Sequence, residues 1–217
     1  MITSYIALES LIFLQTYNLS SIRRYLIPER INSLKSNPTV CYYIIHLTTM
    51  ADKNKLIPMI KRWEGGYGEL KNDHGGATNS GVTIAVFQSV YGKNKTKNDL
   101  KRMTDEQWDY IFTKLFWNKW KADEIKNQSI ANILVDWCWM SGYGTIKKIQ
   151  ALFGLKQDGI VGNKTISCIN SQNQEEAFKR IWNRRKQFYE SLVKNNPSQK
   201  VFLKGWMNRL NAYKFHE

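Results

Sequence analysis

Cysteine is scarce in this chain of 217 residues, and long apolar runs are missing. The three cysteines, Cys41, Cys138 and Cys168, are too few and too widely spaced for a zinc module or a disulfide framework. Cys138 and Cys168 lie in apolar helical patterns, so we expect both to be buried thiols. No apolar run reaches the length of about 18 residues that a membrane span requires, so we expect no stable membrane insertion.

Acidic residues are also under-represented. The chain has 18 Asp and Glu against 32 Lys and Arg, which gives a formal charge of +14. A protein this basic associates with polyanions such as nucleic acid, anionic lipid or an acidic cell-wall polymer. The basic residues are scattered over every segment rather than gathered in a stripe, which argues against nucleic acid. With 42% hydrophobic and 13% aromatic residues, the chain has enough apolar material for a packed core, which excludes a disordered chain.

The first 49 residues contain no glycine and no tryptophan, whereas all 13 glycines and all eight tryptophans follow Met50. The apolar stretch Ile6–Leu14 is a poor secretory signal, because Glu9 interrupts it and no Lys or Arg precedes it. The sequence after Met50 reads like an ordinary protein start. Two interpretations stay open: residues 1–49 are an extension or an artefact of start-site choice, or they form an amphipathic helix that packs on the domain.

Helical periodicity dominates the rest of the chain, and strand-like alternation is almost absent, so the predicted class is mainly α. Residues 65–82 are rich in Gly, Asn, Asp and Thr, which indicates turns or a short hairpin. The helix over Ser129–Ser141 is apolar nearly all round at its end and is expected to be central. The remaining predicted helices are Lys53–Trp63, Thr83–Tyr91, one after the capping box Thr104–Gln107, Ile146–Phe153 capped by Thr145, Gln174–Lys194, and Ser198–Phe215.

Two carboxyls near residue 70 have the surroundings that acid catalysis needs. Glu64 ends an apolar helix, beside Trp63 and before two glycines. An aromatic neighbour, a helix carboxyl end and a covering substrate each favour a protonated carboxyl, the form a general acid requires. Asp73 lies in a polar loop where a carboxylate stays ionised, and two carboxyls in unlike settings equip a glycosidase. The structural alternative makes Glu64 an acceptor for turn N–H groups and Asp73 an Asx-turn residue.

Other candidate groups are less specific. No His, Cys or carboxylate recurs at ligand spacing around His74, so we predict neither a metal nor an organic cofactor. The tryptophans either stack on sugar rings or fill the core, and their helical periodicity favours the core for most of them.

Several motifs together resemble a known family. Glu64–Tyr67 followed by Asp73–Thr83 resembles the signature of glycoside hydrolase family 108, lysozyme-like N-acetylmuramidases often found as phage or prophage endolysins. Phe116–Trp120 and Asp136–Gly142 resemble the family's aromatic segment and central helix. The run from Ile149 to Thr165 resembles the predicted peptidoglycan-binding domain that usually follows. The resemblance covers about residues 51–215.

The resemblance implies a mainly α protein with three parts. Residues 1–49 are an N-terminal extension that has no counterpart in the family, residues 50–144 a lysozyme-like helical catalytic domain with a small hairpin, and residues 145–217 a helical peptidoglycan-binding domain packed on it. The implied activity is hydrolysis of the β-1,4 bond between N-acetylmuramic acid and N-acetylglucosamine in peptidoglycan. Glycan strands are the expected partner of a monomer. Because no clear signal peptide is present, export by a holin or another route is expected before action on the cell wall.

Residue roles follow from the same resemblance. Glu64 is the catalytic acid, and Asp73 with the hydroxyl of Thr78 or Thr83 holds the attacking water or stabilises the oxocarbenium ion. The candidate substrate-binding residues belong to the matching motifs: Tyr67, Gly75, Gly76, Asn79, Trp120, Asp158 and Thr165. A lytic transglycosylase acting on the same bond and a non-catalytic peptidoglycan-binding protein are the alternatives.

Overall fold

The computed structural model describes residues 50–69 and 76–217. The chain divides into two units, Met1–Met50 and Ala51–Glu217, and the elements that follow belong to the second. The predictions for residues 1–49, which include Cys41, lie outside the described residues. So do those for Asp73, His74 and Gly75.

Helix α1, Lys53–Trp63, has the bounds that its periodicity predicts. Its first turn is capped by Asp52, whose Oδ1 accepts a hydrogen bond from the N–H of Asn54 at 2.9 Å. Leu56 and Ile60 are its buried residues. Pro58 lies beyond the first turn, where it leaves one intrahelical bond unmade.

A small antiparallel sheet follows α1, with β1 Gly68–Glu69, β2 Ala77–Asn79 and β3 Val82–Thr83 in that order. Thr78 of β2 lies opposite Gly68 on one side and Thr83 on the other. The predicted hairpin is therefore present, with one further short strand.

Helices α2 Ile84–Tyr91, α3 Lys97–Lys101 and α4 Asp105–Phe112 come next. The capping box at Thr104 is confirmed, because its side chain and that of Gln107 bond each other's backbone N–H groups. The helical winding then widens and afterwards tightens. A π-helical turn over Thr113–Trp117 is followed by 3₁₀ turns over Asn118–Trp120 and Ala122–Glu124. Simple helical periodicity did not indicate this change of winding.

Helix α5, Gln128–Ser141, is the central helix, as its apolar surface predicts. Every residue from Ser129 to Cys138 is buried. Asn127 caps its start, accepting a hydrogen bond from the N–H of Ile130 at 3.1 Å.

The second half of the chain consists of helices that pack on α5 and on one another. They are α6 Gly144–Leu152, α7 Asn163–Ser171, α8 Gln174–Asn195, a 3₁₀ turn over Pro197–Gln199, and α9 Lys200–Asn211. Two predictions are corrected here. Thr145 does not cap α6, since its hydroxyl donates to the carbonyl of Gly142 at 2.8 Å. The last helix ends at Asn211 rather than Phe215.

Aromatic side chains fill much of the core. Among the fully buried side chains are Trp108, Trp117, Trp120 and Trp137, so for these residues the core interpretation of the tryptophans is correct. Cys138 is buried as expected, but Cys168 is partly exposed. The fold is mainly α, as predicted. Within residues 50–69 and 76–217, no helix has both the length and the apolarity of a membrane span.

Candidate active site

Glu64 lies where the backbone leaves α1. Its N–H still bonds to the carbonyl of Ile60 at 3.3 Å, but its φ of −88° and ψ of 137° are extended. Gly65 and Gly66 follow, and no described atom outside the neighbouring residues lies within 4 Å of the positions where their Cβ atoms would be. The Glu64 side chain is 15% exposed. Its carboxyl is thus shielded from most of the solvent while staying accessible to a ligand.

Two donors from distant parts of the chain fix Oε1 of Glu64. Trp139 Nε1 in α5 donates at 2.8 Å and Arg209 Nη1 in α9 donates at 2.7 Å. Hydrogen bonds to an ionised partner are shorter and roughly twice as strong as neutral ones. Within the described residues, no group is hydrogen-bonded to Oε2. Since two N–H groups already point at Oε1, the proton of a neutral Glu64 belongs on Oε2.

The turn between β2 and β3 approaches Oε2. Ser80 and Gly81 have φ of 48° and 79°, the left-handed pair that a tight hairpin requires. A Cβ at Gly81 would lie 2.6 Å from Glu64 Oε2 and 2.7 Å from Trp139 Cζ2. Trp108 Nε1 donates to the carbonyl of Ser80 at 2.9 Å, which holds the turn in place. Glycine is therefore needed here for both its conformation and its size.

Behind Glu64 lies a buried ionic network centred on Asp136. Arg209 donates to Asp136 Oδ1 from Nη2 at 2.6 Å and from Nε at 3.0 Å, and Arg185 Nη2 donates to Oδ2 at 2.7 Å. Burial alone raises the pKa of the Asp136 carboxyl, but Arg185 and Arg209 outweigh it and hold the pKa below its ordinary value. The two guanidinium groups balance the charges of Asp136 and an ionised Glu64.

Arg185 makes a further hydrogen bond in this network: its Nε donates to the Tyr189 hydroxyl at 2.7 Å. Burial raises the pKa of the Tyr189 phenol, an effect that the neighbouring Arg185 charge opposes. Tyr189 is thereby kept as a neutral acceptor at neutral pH.

Aromatic rings enclose Trp139 and so shield one side of the carboxyl. The ring of Phe116 is 4.8 Å from that of Trp139 edge to face, with Trp108 at 5.5 Å and Phe112 at 5.8 Å. The sequence assigned the desolvating aromatic role to Trp63, but that side chain is 38% exposed. Trp139 fills the role instead.

The two candidate threonines lie opposite each other on β2 and β3. Thr83 Oγ1 accepts from the N–H of Val86 at 3.2 Å and so caps helix α2. No hydrogen bond engages the Thr78 hydroxyl among the described residues. Thr78 is thus the better placed of the two to offer a hydroxyl to a ligand.

The other predicted residues of this segment are Asn79, Gly76 and Tyr67, and each lies in a different local setting. Asn79 Nδ2 donates to the carbonyls of Leu100 and Lys101, which ties the sheet to α3. Gly76 has a φ of 69° and leads into β2. The Lys101 ammonium lies 5.6 Å from the centre of the half-buried Tyr67 ring. Their contact with substrate stays a prediction.

Three candidates lie in later elements. Trp120 is completely buried, so it belongs to the core and offers no surface to a sugar, contrary to the prediction. Thr165 is also buried, in the first turn of α7. Asp158 is exposed, and its Oδ1 accepts from the N–H of Ile160 and from Gln150 Nε2, each at 2.9 Å. The bond to the Ile160 N–H is the main reason why the pKa of Asp158 is lowered.

Arg209, Asp136 and Trp139 were not identified as site residues from the sequence. Asp136 carried a usable signal, because a carboxylate inside an apolar helix must find cationic partners. Arg209 carried none, since it is 145 residues from Glu64 and lies in an ordinary amphipathic helix. In the described part of the chain, no group of three or more His, Cys, Asp or Glu side chains is placed to hold a metal ion.

Comparison with known proteins now bears on this geometry. The glycosyl hydrolase 108 profile matches residues 57–142, which include Glu64, Trp139 and Asp136. Residues 57–142 are therefore similar to glycosyl hydrolase family 108. The profile of the predicted peptidoglycan domain matches residues 145–211, which include Arg185 and Arg209. The chain is thus a glycoside hydrolase with a lysozyme-like, mainly α fold, and its two domains make it a peptidoglycan hydrolase.

Among solved structures, the chain is similar to Brucella abortus SagA, with 27% identity and a TM-score of 0.65. The match covers 74% of this chain and 90% of SagA. The comparison with curated proteins gives no match.

Proposed function

We propose that this peptidoglycan hydrolase is an N-acetylmuramidase in which Glu64 is the general acid. The bond cleaved is the β-1,4 linkage between N-acetylmuramic acid and N-acetylglucosamine. The observation that carries the proposal is the setting of the Glu64 carboxyl: two donors hold Oε1, no described group is hydrogen-bonded to Oε2, and the side chain is 15% exposed.

The hydrolysis begins with proton transfer from Glu64 Oε2 to the glycosidic oxygen. The bond from C1 of N-acetylmuramic acid to that oxygen breaks, and the departing N-acetylglucosamine carries the transferred proton as its hydroxyl. Glu64 becomes a carboxylate, whose charge Arg209 and Trp139 stabilise through Oε1. A water then attacks C1 and loses its proton to a carboxylate, which completes the hydrolysis.

Asp73 and the hydroxyl of Thr78 hold this water or stabilise the oxocarbenium ion. Thr78 is assigned in preference to Thr83, because the Thr83 hydroxyl is engaged in capping α2. The formal charge of +14 suits an anionic wall polymer. Action as an endolysin-type enzyme, after export by a holin or another route, is part of the proposal.

The test is the digestion of purified peptidoglycan followed by mass spectrometry of the products in ¹⁸O-labelled water. We expect reducing N-acetylmuramic acid ends that contain one ¹⁸O. Ends of the 1,6-anhydro form, lighter by one water and unlabelled, would instead identify a lytic transglycosylase.

The first mutational prediction is that Glu64→Gln lowers the rate of digestion by about 10²- to 10⁴-fold, the usual contribution of one general acid. Glu190→Gln is the matched control, since Glu190 is exposed on α8 and pairs only with Lys186. Full digestion by Glu64→Gln would remove Glu64 from the role, and sacculus binding without any digestion by the wild type would indicate a non-catalytic binding protein.

A further inference from the structure

The Glu64 carboxyl is hydrogen-bonded to a residue of the other matched region. Arg209 belongs to α9, inside the segment that matches the predicted peptidoglycan domain. Glu64 belongs to the segment that matches glycosyl hydrolase 108. Their 2.7 Å ion pair therefore joins the two matched regions at the candidate catalytic group itself.

Arg209 is held so that its position is fixed before any ligand binds. Its side chain is 5% exposed. Nε and Nη2 hold Asp136 Oδ1, which leaves Nη1 directed at Glu64. A planar guanidinium can donate hydrogen bonds to both carboxylates at once, whereas the single ammonium of lysine cannot reproduce this arrangement of donors. Asp136, in turn, is held from its other side by Arg185 of α8.

We propose that Arg209 is a positioning residue for Glu64, so that the second domain completes the catalytic centre of the first in addition to holding the wall polymer. Arg209 keeps Oε1 turned inward and Oε2 turned toward the bond to be cleaved. Without it, Trp139 alone would hold Oε1, and the carboxyl would rotate between orientations. The inference rests on the proposed function of Glu64 as the acid.

The proposal separates Arg209 from its neighbour Arg185. Both guanidinium groups are buried against Asp136, so the loss of either one weakens the same ionic network. Of the two arginines, Arg209 is the one that is hydrogen-bonded to Glu64. Arg185 instead contacts Tyr189 and the carbonyl of Ile133. Arg185→Met is therefore a control for the stability cost of the network.

The experiment measures kcat and KM on soluble glycan strands, sedimentation with sacculi, and thermal unfolding for Arg209→Lys, Arg209→Met and Arg185→Met. We expect Arg209→Met to lower kcat by about 10²-fold or more, the cost of removing one donor from a charged catalytic group, with KM and sedimentation unchanged. Arg185→Met should lose as much thermal stability with a much smaller loss of kcat. Arg209→Lys should fold and recover only part of the kcat.

A second measurement tests the proposal even if Arg209→Met does not fold. In a Glu64→Gln background, Arg209→Lys should cost no further activity, because the group that it positions is already gone. Wild-type kcat in Arg209→Lys would overturn the inference, as would equal kcat losses in Arg209→Met and Arg185→Met. Those results, together with an inactive Glu64→Gln, would leave the proposed function standing. An active Glu64→Gln would refute the proposed function itself.

Discussion

At the scale of single residues, the absence of a side chain at Gly81 is as important as the presence of one at Glu64. The carboxyl oxygen proposed to donate the proton lies only 2.6 Å from where a Cβ at position 81 would be. The positive φ of 79° adds a conformational reason for glycine. Two independent constraints thus meet at one position of the turn.

Gly81→Ala is expected to lower activity far more than it lowers stability. The methyl group would displace Glu64 Oε2 or the Trp139 ring, both of which are parts of the site. Gly154→Ala is the control, since Gly154 has a similar φ of 69° but no atom within 4 Å of the added Cβ. Each change should cost about 1 kcal/mol in backbone strain, measured by urea unfolding. Equal activity in the two variants would show that the close approach at Gly81 has no catalytic importance.

Single residues were predictable from the sequence where their setting is local. Glu64 was found because a helix end and two glycines are its immediate neighbours in the chain. Trp139 and Arg209 lie 75 and 145 residues away from it, so their contact arises only when α5 and α9 are packed. Trp120 was misassigned because it was carried over from the aromatic motif of the resemblance, whereas tertiary packing buries it completely.

At the scale of elements, the start of α2 determines what Thr83 does. Its hydroxyl satisfies the N–H of Val86, one of the donors that a helix leaves free at its first turn. The hydroxyl of Thr78, on the neighbouring strand, makes no hydrogen bond within the described residues. The sheet register thus places a capping threonine and an available threonine side by side.

Thr83→Ala is expected to lower the free energy of unfolding by about 1 kcal/mol with kcat nearly intact, since its hydroxyl caps a helix. Thr83→Ser should restore the stability. Thr78→Val removes the other hydroxyl at similar volume and should lower kcat without a comparable change in melting temperature. If Thr83→Ala is stable but inactive while Thr78→Val is fully active, the assignment of the two threonines is reversed.

Elements with strong periodicity were predicted well, and those set by contacts were not. Helix α1 has its predicted bounds. Helix α5 begins one residue before its predicted start and ends at the predicted residue. The π-helical turn at Thr113–Trp117 is a local change of winding that follows α4 directly, and hydrophobic periodicity does not report such a change. Helix α7 was not predicted as a helix, because only its first residues, up to Thr165, were interpreted, and they were interpreted as part of a motif. The division near residue 144 stays a prediction.

At the scale of the whole described unit, the buried network links α1, α5, α8 and α9 through charge. Asp136 is completely buried, and so is Arg185. Removal of one partner from a buried pair typically costs about 3–5 kcal/mol, because a charge is left without compensation. The network therefore makes the four helices interdependent.

Stability is expected to fall as the pH drops below about 4. The pKa of Asp136 is lower in the folded protein than its ordinary value of 3.8, so the stabilisation is present above that value and is lost as the folded carboxyl gains a proton. Urea unfolding from about pH 7 to about pH 2 measures this loss. Asp136→Asn should be much less stable at neutral pH and should show a flatter acid dependence. An unchanged acid slope in that variant would contradict the assignment.

The position of Arg209 also has a consequence for how the enzyme is made. A ribosome synthesises Glu64, Asp136 and Trp139 long before it reaches α9, so the nascent chain holds the proposed acid, Glu64, without the arginine proposed to orient it. Catalytic competence therefore arrives only when the last helix has been translated and has docked. By the same logic, exchanging the second domain for a foreign wall-binding module would remove a part of the catalyst, however well the new module holds its polymer.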